Sequence, residues 1–377
     1  MKITIATGPI YPVPAVLGGS VQRLWYGLAL EFAKRGHEVT IFAKAHEGQP
    51  EEETLDGIRF VRWGGYDLST SIGTDLVRCL IYALRAAPRV PRGDIVVAND
   101  FWTPAVLPLL NRAAGPVVAC IQRFPKKQFA LYGNCRAIVA VSEAVAEAIR
   151  QQTPRLSPKV HVVPNNVDDA FIETPLVDKS SRPQDPVRIL FAGRLHPEKG
   201  LGLLIEALRR LPSFTRNAWQ CEIIGPVAQS EGGGGEDYVA RIRGMADGLP
   251  VVFTPPVYAA RDLASVYDKA DIFVYPSLAE RGESFGLAPL EAMARGSVPV
   301  VSSLSVFTEY LRDGVNGVVF DHRGGSKKEN LARALAKLVD SPEMRTEMSK
   351  RARATALGFS TSIVADKYLD LFHRLTR

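Results

Sequence analysis

In FAGRLHPEKGLGLLIEALRRL, Arg194 and Lys199 stand five residues apart, between an apolar run ending at Ala192 and an amphipathic stretch that begins after Gly200. Arg offers a planar fork for phosphate oxygens and Lys a movable point charge, so together they fit a diphosphate without a metal. Gly193 makes the turn, and a helix start beside it adds backbone N–H groups and the positive end of a helix dipole. The plainer alternative is a solvated turn decorated with charge. In PSLAERGESFGLAPLEAMARGSVPVVSS, Glu283 and Glu291 stand eight residues apart around Phe285, Gly286 and Leu287. Eight residues of helix span roughly 12 Å, too far to flank one glycosidic bond as a hydrolytic pair, which needs about 5–9.5 Å. The carboxylates fit separate parts of one long ligand, one a sugar and the other a ribose, with the amides of Phe285 to Leu287 aimed at phosphate between them. For Glu291 the alternative is an ordinary exposed helix position.

These residues need a scaffold that ends strands and starts helices at one place. Lys2 to Ala6 reads as a buried strand closed by Gly8-Pro9. After a loop rich in Pro and Gly, Val21, Leu24, Trp25, Leu28, Ala29 and Phe32 recur at helical spacing, with Ser20 placed as N-cap and Gly36 as stop. Glu38 to Ala43 is the next strand, completing one βαβ unit. Further all-apolar strands follow at 95–98, 116–121, 137–141 and 161–164, of the kind buried on both faces of a parallel sheet. The polar, proline-containing TPLVDKSSRPQDP marks a domain boundary, and the alternation then restarts with VRILFAG. Strands are expected at 221–225, 251–254, in DIFVYPS and in PVVS, with helices near 200–211, after 236, at 261–269 and 287–295. The fold class is α/β, two Rossmann-like doubly wound parallel-sheet domains: 1–175 plus 361–377, and 176–360. SEGGGGED (230–237) reads as a mobile surface loop, with a phosphate cradle as the lesser alternative. Beyond Gly324 the chain is helical, and Ile363, Tyr368, Leu371 and Phe372 form a face that must dock.

Composition narrows the function. The 377 residues are 46% hydrophobic and 23% charged, which excludes a disordered or fibrous chain. The net charge of +6 is spread evenly, 19 basic against 16 acidic residues up to position 175 and 27 against 24 beyond it, so nucleic acid is not implied. Cys79, Cys120, Cys135 and Cys221 lie far apart with no zinc spacing and read as reduced core thiols; no metal is expected. The first strand is followed by TGPIYPVPAVLGGS rather than GxGxxG, which argues against a dinucleotide oxidoreductase. No window approaches the ~18 apolar residues of a spanning helix, and the opening apolar run is too short for a signal segment. A cytoplasmic protein is expected, working at the inner face of the membrane if its acceptor lies there.

Taken together, KRGHEVT, IVAVSEAVAEAI, HVVPNNVD, FAGRLHPEKG, FVYPS, ESFGLAPLEAMARGSVPVV and GVNGVVF resemble the retaining GT-B glycosyltransferases of family GT4, over nearly the whole chain. The resemblance implies two domains facing a cleft, with the closing helix crossing back to the N-terminal one. It implies transfer of a sugar from a nucleotide-diphosphate sugar, UDP- or GDP-linked, to an acceptor hydroxyl with retained configuration and no obligatory metal or cofactor. Arg194, Lys199 and Glu283 would be catalytic, the cations on the diphosphate and Glu283 on sugar hydroxyls. Gly18, Gly19, Gly193, Phe285, Gly286, Leu287, Glu291 and Val257 would bind the donor: Glu291 the ribose, Val257 (with Pro256) the base, and Gly18-Gly19 the diphosphate from the N-terminal domain, which takes the acceptor.

The sequence departs from the resemblance at two strand ends where many relatives have histidine. Asn99-Asp100 and Gln122-Arg123 stand there, so Asp100, Gln122 and Arg123 become acceptor or sugar candidates, strand-end capping being the alternative. Asn165-Asn166 replaces the usual Asn-Gly turn, Asn also tolerating positive φ. His161, His196 and His322 read as surface or turn residues. DLVRCLIYALRAAPRVPRG combines apolar and arginine residues and could lie on an anionic membrane, or simply pack on the sheet with basic ends. The cluster Arg123, Pro125, Lys126 and Lys127 could meet an anionic acceptor instead. The expected role is assembly of a bacterial surface polysaccharide, lipopolysaccharide or glycolipid; glycosylation of a small natural product and a catalytically silent nucleotide-sugar binder are the alternatives.

Overall fold

The computed structural model describes residues 1–16, 19–67, 69, 71–177, 186–211 and 219–377, apart from the side chain of Ile72. The chain divides into two compact units, 1–166 with 361–377, and 167–360.

In the first unit the strands are β1 (Lys2–Ala6), β2 (Glu38–Ala43), β3 (Glu52–Leu55), β4 (Ile58–Arg62), β5 (Ile95–Ala98), β6 (Val117–Ile121), β7 (Ala137–Ala140) and β8 (Val160–Val162). They form one sheet in the order β3-β4-β2-β1-β5-β6-β7-β8. All neighbours are parallel except β3, which runs antiparallel along β4 at the edge. The β3-β4 hairpin is absent from the sequence expectations because EETL is too polar to read as a buried strand; it is an edge, and edges tolerate charge. The helices are α1 (Ser20–Lys34), α2 (Ile72–Ala86), α3 (Thr103–Leu110), α4 (Glu143–Gln152) and, after the second unit, α12 (Thr361–Thr376).

In the second unit the helices are α5 (Asp169–Glu173), α6 (Leu201–Leu208), α7 (Glu236–Ala246), α8 (Ala260–Lys269), α9 (Leu287–Ala294), α10 (Lys327–Val339) and α11 (Pro342–Leu357). The strands are β9 (Val187–Ala192), β10 (Trp219–Ile224), β11 (Val251–Thr254), β12 (Ile272–Tyr275), β13 (Val298–Ser302) and β14 (Val318–Phe320). The order β11-β10-β9-β12-β13-β14 is the doubly wound arrangement, and chain direction across the sheet reverses between β9 and β12. Pairing there is Ile272 with Ile189 and Phe273 with Leu190. Ligands of such sheets bind beyond the carboxyl ends of the two strands at this switch.

The core of the first unit explains the closing helix. Val364, Tyr368, Leu371 and Phe372 of α12 are buried with Trp25, Leu28 and Phe32 of α1. Trp25 and Tyr368 have ring centroids 5.3 Å apart, and Phe32 and Phe372 6.0 Å apart. Ile363, expected on that face, is exposed, and Val364 takes its place.

Four further expectations are corrected. The division falls at 166/167 rather than 175/176, because the segment after Val167 is built into the second unit: Arg295 donates to the carbonyls of Phe171 (3.2 Å), Thr174 (2.6 Å) and Pro175 (2.8 Å) while paired with Asp268. Part of the boundary segment, 178–185, lies outside the described residues. Gly19, not Ser20, is the N-cap of α1, its φ of 105° leaving the helical region where Ser20 enters it. Asp56 and Lys127 are the non-glycine residues with positive φ among those described, so Asn165-Asn166 is no left-handed turn; the Asn166 Nδ2 donates to Thr361 Oγ1 at 3.0 Å and ties the segment to the start of α12. His322 is buried rather than superficial, its Nδ1 3.0 Å from Ser303 Oγ and its Nε2 2.9 Å from Glu280 Oε1.

Candidate active site

The turns after β9 and β12 converge at the switch point of the second sheet. Gly193 and Gly225 close the ends of β9 and β10 so tightly that a Cβ on Gly225 would lie 1.8 Å from the Gly193 carbonyl oxygen. The next turn is pinned in the same way. Gly200 is left-handed at φ 74°, and a Cβ there would stand 2.0 Å from the carbonyl oxygen of Pro276. The start of α6 is thereby held against the end of β12, and Lys199 enters the site beside it.

Lys199 is buried, and its Nζ lies 2.7 Å from Oε2 of Glu283, which is buried too. Ser277 Oγ donates to the same oxygen at 3.1 Å, and the ammonium stands 5.3 Å from the centroid of the Tyr275 ring. Burying two charges carries a desolvation cost that only good geometry and further hydrogen bonds offset, and Ser277 with the ring face supplies them. Burial, then the neighbouring Glu283 carboxylate, pushes the Tyr275 phenol well above its ordinary range, so it stays neutral.

Arg194 is different, with a side chain 42% exposed. One end of its guanidinium donates to Glu198 Oε1 at 2.7 Å and the other to the Gly232 carbonyl at 3.0 Å. The glycine run expected to be mobile is therefore packed: Gly234 N–H donates to the Leu195 carbonyl at 2.8 Å and Gly235 N–H to the Val227 carbonyl at 2.9 Å. A Cβ on Gly233 would lie 2.1 Å from the Val227 carbonyl oxygen. Glycine is needed there for close backbone approach, not for disorder.

Glu283 precedes α9 rather than lying on it, so the helical spacing does not measure its distance from Glu291. Gly286 caps α9 at φ 78°, where a Cβ would meet the Phe307 ring at 2.5 Å, and Tyr310 Oη donates to its carbonyl at 2.7 Å. Leu287 and the following residue open the helix and carry the N–H groups that a helix start leaves unpaired within the helix. The Phe285 ring is buried against Tyr310 and Phe359, so only its backbone can face a ligand. On α9, Glu291 Oε2 accepts from Tyr267 Oη at 3.3 Å. Val257 is half-buried in the loop after β11. Among the described residues no cluster of three or more His, Cys, Asp or Glu side chains suits a metal ion.

The two halves of the chain match two family descriptions, residues 18–171 Glycosyltransferase Family 4 and residues 173–355 Glycosyl transferases group 1. The chain belongs to the group 1 glycosyltransferases of family GT4. This glycosyltransferase is 27% identical to the D-inositol 3-phosphate glycosyltransferase of Xylanimonas cellulosilytica, over 100% of its own chain and 96% of the relative. It is 28% identical to the phosphatidyl-myo-inositol mannosyltransferase of Mycolicibacterium smegmatis, over 98% and 94%. The structure of Anabaena HepE in complex with UDP and glucose superimposes with a TM-score of 0.72 at 18% identity, covering 99% of this chain and 100% of that one. The fold is GT-B.

In the first unit of the glycosyltransferase, Gly18 lies outside the described residues, and Gly19 stands where a Cβ would come within 2.4 Å of Gln22 Oε1. Asp100 follows β5 and caps α3: its Oδ1 accepts from the Trp102 N–H at 2.8 Å and the Thr103 N–H at 2.7 Å. Burial raises its pKa against those two amides. Gln122 is half-buried and Arg123 exposed after β6. All four cysteines are buried, and burial pushes the Cys79 and Cys135 thiols up to about 12. Sequence reasoning missed Ser277, Glu198 and Gly232 as members of the site. Ser277 ends the FVYPS run and Glu198 lies inside EKG, but only three-dimensional contact shows that they hold Glu283 and Arg194.

Proposed function

We propose that this glycosyltransferase transfers a sugar with retention of configuration from a UDP- or GDP-linked donor to an acceptor hydroxyl, with charge neutralised by Arg194 and Lys199 instead of a metal ion. The observation that carries the reading is the convergence at one switch point of a part-exposed guanidinium paired with Glu198 and a buried ammonium paired with Glu283. In this reading the donor diphosphate takes over the ammonium, and the Glu283 carboxylate accepts hydrogen bonds from the sugar hydroxyls. As the bond from the anomeric carbon to the leaving phosphate oxygen breaks, the two cations stabilise the charge that grows on the diphosphate. The acceptor oxygen bonds to the anomeric carbon on the same face, and its proton passes to the departing phosphate oxygen. The start of α9 supports the phosphates through the amides around Phe285, Gly286 and Leu287, with Gly193 leaving room at the turn after β9. Glu291 holds the ribose, and Val257 lies along the base.

The first unit takes the acceptor, with Asp100, Gln122 and Arg123 as the residues that meet it. Asp100 spends Oδ1 on capping α3, and its Oδ2 is buried, so a hydroxyl reaches it in this reading only by entering the unit. The relative named for phosphatidyl-myo-inositol supports a lipid-linked acceptor; assembly of a bacterial surface glycolipid or polysaccharide, from the cytoplasmic side, is the role this reading assigns. A second reading, a small phosphorylated polyol as acceptor, is favoured by the relative named for D-inositol 3-phosphate.

The test is a melting panel with UDP, GDP, ADP, CMP and dTDP and their sugar conjugates. A ligand at ~100 times its Kd adds about 2.7 kcal/mol and moves the melt by a few degrees. A selective rise with one diphosphate and its sugar, with or without chelator, supports the donor reading. No rise with any of them refutes it. The anomeric coupling constant of the product then reports retention or inversion.

A further inference from the structure

We propose that the face formed by α2 and the end of α3 is a docking surface for an anionic lipid bilayer. Cys79, Tyr82, Ala83 and Ala86 form the buried side of α2. Val77, Ile81 and Leu84 recur at the spacing of one helical line and point the opposite way, each between 45% and 59% exposed. A surface helix of a water-soluble unit ordinarily turns polar residues outward, whereas α2 carries a crest of branched aliphatic side chains there. The crest continues onto α3. Asn111, just beyond α3, donates to the carbonyls of Ala87 (2.9 Å) and Val90 (3.3 Å), which sets Leu109 and Leu110, both more than half exposed, beside the end of α2.

The charge of this face selects the partner. Arg78 and Arg85, seven residues apart, flank the crest on one side of the helix, and Arg92 and Arg112 are exposed near its end. From position 72 to 93 the sequence holds four arginines and a single acid, Asp75. That carboxylate accepts from the Ser69 N–H at 3.0 Å, at the far end of the helix. Apolar side chains flanked by cations fit an interface that is apolar beneath and anionic at its surface. A fluid bilayer takes up such side chains without a matching groove of its own. None of the donor-site residues lies on this face, so the inference stands apart from the donor chemistry.

The experiment is flotation of the full chain with phosphatidylcholine vesicles, with and without one third phosphatidylglycerol, at low and high ionic strength. The protein floats with the anionic vesicles only, and less at high salt. The variants I81Q/L84Q and R78Q/R85Q each lower the bound fraction roughly tenfold. Their melting temperature and diphosphate binding stay at the wild-type values, because the altered side chains are exposed. Absence of flotation, equal flotation on neutral vesicles, or unchanged flotation of both variants overturns the proposal. A dimer that I81Q/L84Q dissolves, without vesicle binding, assigns the face to a second copy and overturns it as well.

Discussion

Lys199 and Glu283, 84 residues apart in the chain, form a buried ion pair of 2.7 Å that joins the turn after β9 to the turn after β12. The pair spans the one place where the second sheet reverses its winding. The proposed function couples stability and donor chemistry there, and the variants separate them.

Lys199→Ala leaves a buried carboxylate without its counter-charge, and such a break costs about 3–5 kcal/mol. The double variant Lys199→Ala/Glu283→Gln removes both charges and recovers most of that loss. Turnover stays at least roughly a hundredfold down in both. Denaturant melts alongside donor turnover check this; equal stability of the single and double variants contradicts it.

Arg194 behaves in the opposite way. Its guanidinium is part-exposed, so Arg194→Ala costs no more than about 1 kcal/mol of stability. Turnover drops roughly 100- to 1,000-fold if the head group stabilises the leaving diphosphate. Arg194→Lys restores charge but not the fork and rescues only part. Full activity of Arg194→Ala places the residue outside the reaction.

Gly200→Ala adds a Cβ 2.0 Å from the Pro276 carbonyl oxygen at a left-handed position. The turn has to shift, at about 1–3 kcal/mol or more, and Lys199 moves with it. Melting and diphosphate affinity both fall. Gly314→Ala, also at positive φ but with open space around its Cβ, is the control and loses stability only.

Asp100 makes stability depend on pH. Burial raises its carboxyl in the folded protein above the unfolded value of about 3.9, so folding favours the protonated form. This contribution is full below the unfolded pKa and is lost as pH rises through the raised one. Asp100→Asn keeps the oxygen that caps α3 and removes the titration. The variant gains stability over wild type as pH rises from about 4 towards neutrality, readable as a growing difference in Tm. A constant difference contradicts the raised carboxyl.

Much of this was legible before any coordinates. Short all-apolar strands such as IVVA and VVACI signal burial on both faces, and their alternation with helices is enough for two parallel sheets. The convergence of Arg194, Lys199 and Glu283 on one end of the second sheet was readable because each stands beyond a strand end next to glycine. Their pairing was not, since nothing in the one-dimensional spacing brings position 199 to position 283. The glycine run misled because entropy argues for disorder while close backbone packing, visible only in space, argues for order. The boundary was misplaced because a single buried guanidinium, that of Arg295, draws Phe171, Thr174 and Pro175 into the second unit. His322 looked superficial because its partners, Ser303 and Glu280, come from two other strand ends.

The most direct test of the central claim is calorimetric titration of a nucleoside diphosphate into the wild type, Lys199→Ala and Glu283→Gln. The account predicts that Lys199→Ala weakens the bare diphosphate at least about tenfold, the loss of one charge-assisted contact. Glu283→Gln leaves that affinity equal or tighter, because the ammonium no longer has to leave a carboxylate, while transfer of the sugar is lost. Wild-type affinity in Lys199→Ala, or full turnover in Glu283→Gln, would contradict it.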